Sequence, residues 1–140
     1  MKKIFTILAF ASFFASSLEI NAQTVRRVLI EEFTGESCPP CATYNPAFDA
    51  LVEHNVPKAL MLKYQVNIPV AGPMYNQNPT EVTARRTYYA VNSAPNFRMD
   101  GAAVSDGHPV RLTQAVIDAR ASVMSNYEIK IEHNLNNTND

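Results

Sequence analysis

The feature that most restricts this chain is a pair of cysteines, Cys38-Pro39-Pro40-Cys41, set where a strand pattern gives way to a helix pattern. Upstream, Val25 to Phe33 (VRRVLIEEF) mixes β-branched and aliphatic residues and stops at Thr34-Gly35, which predicts a strand ending in a turn. Downstream, Tyr44, Phe48, Leu51 and Val52 recur at three- and four-residue spacing, which predicts a helix from Pro39 to His54. Proline is favoured in a first turn, where its missing N–H costs nothing. Pro46 lies deeper and is expected to kink the helix. Two sulfurs at the mouth of a helix that follows a strand require the rest of the chain to build a layered structure around that junction.

The remaining pattern supplies such a structure. Ala59 to Val66 (ALMLKYQV) reads as a second strand, and strands alternating with helices imply a sheet with some parallel pairing. Residues 67–78 (NIPVAGPMYNQN) have no period and read as a loop. Asn78-Pro79-Thr80-Glu81 carries a cap, a first-turn proline and a glutamate three residues after the cap, which starts a helix expected to reach about Val91. Asn96 to Met99 and Ala102 to Val104 flank Asp100-Gly101, a dipeptide that favours a tight hairpin. Val110, Leu112, Val116, Ile117, Ala119 and Val123 suggest a last helix, and alternation over Tyr127 to Leu135 suggests one more strand. The expected class is α/β, in the order β, α, β, α, β-hairpin, α, with an extra C-terminal strand. That strand has no partner in the pattern, so residues 127–140 are expected to begin a further β-rich region.

The N-terminus follows a different logic. Met1-Lys2-Lys3 is basic, Ile4 to Leu18 is almost wholly apolar, and Ile20-Asn21-Ala22 ends on a small residue, the pattern of a signal peptide cleaved after Ala22. An apolar run of about 15 residues falls short of the ~20 that a membrane span needs. Residues 23–126 then form the expected domain, long enough to hold a core without covalent staples. The 46% hydrophobic and 18% charged composition of the full chain is that of a globular protein. A net charge of −1 with scattered Lys and Arg excludes a nucleic-acid footprint.

The chemistry expected of the cysteine pair is thiol–disulfide exchange. A thiolate is the nucleophile, and the free N–H groups and positive end of a helix stabilise it. Cys38, at the open end, would attack, and Cys41, one turn in, would resolve the mixed disulfide. Three other uses stay open on the residues alone. A structural staple closing four residues would contribute only about 2 kcal/mol, against about 3 for a fifteen-residue loop. A closed zinc site needs four ligands, and His54, His108 and His133 show no paired spacing. The cysteines could also be incidental. No nucleotide, haem or metal is expected, so the only redox group would be the Cys38–Cys41 pair.

Several spacings taken together resemble the thioredoxin superfamily over Val28 to about Val123. Glu32 lies six residues before Cys38, Pro46 five after Cys41, and Ala94-Pro95 precedes a strand and an Asp-Gly hairpin. The resemblance implies a central mixed sheet flanked by helices. It implies that Glu32 is a buried carboxylate that takes the Cys41 proton, and that Pro95 is cis, bringing the Ala94 backbone beside the sulfurs to pair with an extended substrate. The competing readings are a solvent-facing strand glutamate and an ordinary loop proline. Tyr44 is expected to pack in the core, while Met74 and Tyr75 would form an apolar substrate lip or merely fill the loop. Ser37 stands where the family most often has an aromatic, and the chain has no Trp, which weakens a general protein-disulfide reductase. No His separates the cysteines, so a strongly oxidising poise is not expected. The leader together with VLIEEFTGESCPPC is similar to thioredoxin-like envelope proteins associated with the bacterial outer membrane. That implies a location in the periplasm or on the periplasmic face of the outer membrane, with envelope protein thiols and a redox partner as partners. Two functions follow, an exported thiol–disulfide oxidoreductase and a non-catalytic binding or assembly module of the envelope.

Overall fold

The computed structural model of the chain describes residues 24–127 together with Ile129 and Glu132. The leader expected over 1–22 lies outside the described residues, as does most of the strand expected over 127–135. Residues 25–124 form one compact unit. In the other unit, Thr24 and Ser125 pair through an isolated antiparallel bridge.

Within residues 25–124 the order is β1 (Val28–Thr34), α1 (Pro39–His54), β2 (Ala59–Gln65), α2 (Pro73–Gln77), α3 (Pro79–Tyr88), β3 (Asn96–Met99), β4 (Ala102–Ala103), a 3-10 turn (Pro109–Arg111) and α4 (Gln114–Ala121). The four strands form one mixed sheet in the order β2-β1-β3-β4. β1 runs parallel to β2, with Val28 opposite Ala59 and Glu32 opposite Lys63. β3 is antiparallel to β1 and β4 to β3.

Period-two alternation along β1 builds both layers. Val28 and Ile30 point to one face, where Phe48 and Val52 of α1, Ala59, Phe97, Met99, Leu112 and Ile117 of α4 complete a buried cluster. Phe33 points to the other, where it joins Val66 and Val91 and is flanked by Tyr64, Val82 and Tyr89. The Phe33 and Tyr64 rings stack at 5.2 Å, and the Tyr89 edge meets Phe33 at 5.9 Å. Helices therefore cover both faces of a short sheet, as the α/β expectation requires.

Helix boundaries are where the structure departs from the sequence pattern. α3 stops at Tyr88 rather than near Val91, because Ala90 takes a positive φ of 51° that no helix continues through. Asn78 makes no cap hydrogen bond to the α3 backbone; its amide instead donates to the Glu81 carboxylate. The last helix is shorter than its apolar pattern, since Val110 and Leu112 belong to or follow the 3-10 turn. Thr113 starts α4, its hydroxyl accepting the Val116 N–H. The expected loop over 67–78 contains a helical turn, α2, opened by Pro73. Asp100-Gly101 forms the expected hairpin, with both residues at positive φ.

Candidate functional site

Cys38 and Cys41 are joined as a disulfide with their Cα atoms 5.2 Å apart. Cys38 is the N-cap residue of α1, in extended backbone, and its Sγ accepts the Cys41 N–H at 3.2 Å. The helix thus points an otherwise unpaired N–H at the sulfur that would carry negative charge after reduction. No acidic residue lies in the first turn to oppose that charge. The same sulfur lies 3.5 Å from the Ala94 carbonyl. A disulfide sulfur has no proton to donate, so this is a contact, and the thiol could convert it to a hydrogen bond. The Ala94-Pro95 peptide is cis and Pro95 is buried, in line with the expectation at that position. Cys38 is only 5% exposed, against 3% for Cys41, so neither cysteine projects from the surface.

A small charged group is built from β1, β2 and α1. Glu32 continues the Val28-Ile30 row on the face covered by α1 and is fully buried. Neither of its oxygens has a hydrogen-bond partner. The Lys63 ammonium comes within 3.1 Å of Oε2, out of line for a hydrogen bond, while donating to Asp49 at 2.7 Å. Burial pushes the Glu32 carboxyl above the usual carboxylate range; the Lys63 charge pulls it back and Asp49 adds to the push. Partial burial works against the Lys63 charge, but Asp49 and Glu32 outweigh it and its pKa is raised. A buried carboxyl that holds its proton more tightly than in water is suited to proton transfer.

A cleft of about 320 Å³ opens beside the disulfide, lined by Cys38, Cys41, Asn45, Asp49, Lys63 and Met74 among others. Lys63 and Asp49 thus connect Glu32 to the cleft in which the sulfurs lie. Sequence reasoning missed both. Asp49 was legible in principle, since Cys41, Asn45 and Asp49 follow one another at four-residue steps along one face of α1. Lys63 carried only a weak signal, a charge interrupting an apolar strand. Its meaning depends on the parallel register that sets it opposite Glu32.

Other expectations resolve differently. Tyr44 is not in the core: it is 38% exposed and meets His108 edge-on at 4.6 Å. Tyr44 shares the α1 face of Phe48 and Val52 but lies one turn nearer the N-terminus, where it meets His108 at the start of the 3-10 turn instead of the buried cluster. His54 ends α1 and His108 caps the 3-10 turn, its Nδ1 accepting the Val110 N–H at 3.4 Å. His133 lies outside the described residues. Met74 lines the cleft, whereas the Tyr75 hydroxyl pairs with Thr83 at 2.9 Å.

The arrangement holds a disulfide, sets a helix N–H against the Cys38 sulfur, and buries a carboxyl whose Lys63 neighbour lines the same cleft as the sulfurs. No family model, curated protein or solved structure matches the chain.

Proposed function

We propose that the protein is a thiol–disulfide oxidoreductase of the thioredoxin-like class, working through Cys38 and Cys41 with Glu32 as the proton acceptor and donor. The observation that carries this reading is the disulfide at the N-terminus of α1, where the Cys38 sulfur accepts a helix N–H. The mixed sheet between helices and the cis peptide at Ala94-Pro95 agree with the thioredoxin-like resemblance.

In the reducing direction the dithiol protein begins with a Cys38 thiolate held by the Cys41 N–H. It attacks one sulfur of a substrate disulfide; that bond breaks, a mixed disulfide forms, and the first substrate thiolate leaves and takes a proton. The Cys41 thiol then gives its proton to Glu32, directly or through water in the cleft. Its thiolate attacks the Cys38 sulfur, which closes the internal disulfide and expels the second substrate thiolate. Two electrons pass to the substrate, and a dithiol reductant returns the protein to its starting state. Ala94, with its carbonyl beside Cys38, and Pro95 shape the groove in which the substrate backbone lies. The chain needs no metal or organic cofactor for these steps. Its expected partners are protein thiols and disulfides of a bacterial envelope, reached after export and cleavage following Ala22. Mass spectrometry of the secreted protein then gives an N-terminus at Gln23.

The reduction midpoint of the pair, read by alkylation in graded dithiothreitol buffers, tests the proposal. A midpoint between about −270 and −120 mV supports exchange, in the lower half for want of a cationic residue between the cysteines, and one below about −300 mV refutes it. The near-complete burial of both sulfurs favours a second reading, an envelope binding or assembly module whose disulfide stays shut. Trapping separates the two: Cys41→Ser captures mixed disulfides through Cys38 if the protein is an enzyme, and neither cysteine variant captures any if it is a module.

A further inference from the structure

The segment between β2 and α3 is tied down near its start and in its middle. Gly35 lies against the Ile68 carbonyl so closely that a Cβ there would overlap the oxygen. Glu36, two residues before Cys38, accepts the Met74 N–H through Oε1 at 3.1 Å and Oε2 at 3.4 Å. Its carboxylate also occupies the space that a side chain at Gly72 would need. From α3, Arg86 donates to the Asn67 side chain at 2.5 Å and to the Val91 carbonyl at 3.0 Å. Segments without regular structure are ordinarily mobile, and these ties hold this one in place. What Glu36 holds is Met74, which is 57% exposed and yet forms part of the cleft lined by Cys38 and Cys41. A methionine thioether is apolar, unbranched and adaptable, a suitable wall for side chains of differing shape.

We propose that Glu36 is a positioning residue that fixes Met74 as the apolar wall of a substrate subsite, and that this subsite takes a large apolar side chain next to the reacting cysteine of a polypeptide. The inference rests on the redox reading given above. Met74, Ala42 and Pro46 supply the apolar part of the lining of a cleft of about 320 Å³ beside the sulfurs, and Asn45, Asp49 and Lys63 are among its polar part. The Glu36 carboxylate at the rim disfavours an acidic side chain in the same place.

The test uses the reduced full chain and two short disulfide-linked peptides that differ only in leucine or serine beside the cysteine, with 2-hydroxyethyl disulfide as a substrate too small to need the subsite. The wild type is expected to favour the leucine peptide about tenfold in kcat/KM, the size of one apolar side-chain contact, with the difference in KM. Glu36→Ala is expected to abolish that preference and speed hydrogen exchange at the Met74 amide. Glu36→Gln keeps a carbonyl acceptor and restores both. Met74→Ala loses the preference while its amide stays protected. If the wild type reacts with the small disulfide but shows no leucine preference, or keeps it in Glu36→Ala or Met74→Ala, the subsite is refuted and the redox reading stands. If the reduced wild type exchanges with none of the three disulfides, the redox reading fails and the subsite falls with it.

Discussion

Glu31 and Glu32 are neighbours in the chain and opposites in chemistry, because a strand sends successive side chains to opposite faces. Both are almost fully buried. Glu31 points toward α3, where Arg85 donates to both its oxygens, at 2.6 and 3.0 Å, and Tyr64 and Tyr89 donate hydroxyls at 3.1 and 2.6 Å. Burial alone would raise its pKa, but those hydrogen bonds outweigh burial and hold the carboxyl below the usual range. The same network pushes the Tyr89 hydroxyl up to about 12, through burial first and its bond to Glu31 second. Glu32 has only Lys63 nearby, and burial wins. The two residues therefore carry opposite pH dependence. Glu31 stabilises the fold above the ordinary carboxylate pKa and loses that contribution as pH falls through its lowered value. Glu32 stabilises the fold most when protonated, below the ordinary pKa, and that contribution is lost as pH rises through its raised value. Glu32→Gln is accordingly expected to raise stability at pH 8 by on the order of 1 kcal/mol, seen as a higher thermal midpoint, with the gain vanishing below pH 4. Thermal scans across pH check it. The same variant is expected to slow disulfide exchange by about 100-fold, the usual scale of a lost acid–base group, in stopped-flow measurements.

At the scale of elements, α1 and α3 are fastened to the sheet by different kinds of contact. α1 packs through Phe48 and Val52 against Val28 and Ile30, an apolar seam with the Phe48 and Phe97 rings 5.3 Å apart. Phe48→Ala is expected to cost about 3–5 kcal/mol in denaturant unfolding and to loosen the helix whose N-terminus carries the cysteines. α3 instead relies on Arg85, whose guanidinium binds Glu31 and lies 4.8 Å from the Tyr89 ring centre. Arg85→Ala leaves a buried carboxylate without its cation. The expected cost is about 2 kcal/mol, below the value for a fully buried pair because the Arg85 side chain is 39% exposed. In that variant stability is expected to rise on mild acidification as Glu31 takes up a proton, the reverse of the wild-type contribution, and urea midpoints at pH 7 and pH 5 would show it. The helix at α1 was legible in the sequence over its whole length, since a first-turn proline and a clear apolar period agreed there. α2 was not, because five residues are too few to show a period.

For the molecule as a whole, the disulfide contributes little to holding the fold together. It closes a loop of four residues, worth about 2 kcal/mol at most, while the two apolar clusters supply the core. Reduction is expected to lower stability by no more than that, leaving the circular-dichroism spectrum unchanged. By linkage, an oxidised form that is the more stable one marks a pair on the reducing side, and calorimetry of both forms measures the difference. What the sequence determined by itself was local. The strand into Thr34-Gly35, the proline-opened start of α1, the cysteine spacing that lets two sulfurs meet across one turn, and the Asp-Gly hairpin each depend on residues close together in the chain. What only the tertiary structure decided was which distant groups share a space. Glu32 meets Lys63 because β1 and β2 pair in parallel at one register, Ala94 meets Cys38 across the chain, and Met74 reaches the cleft because Glu36 ties it there. Backbone preferences act over a few residues and can be read in order. The environment of a buried charge or a reactive sulfur is set by whatever folding brings within a few ångströms of it, and that is decided only when strands pair and helices pack.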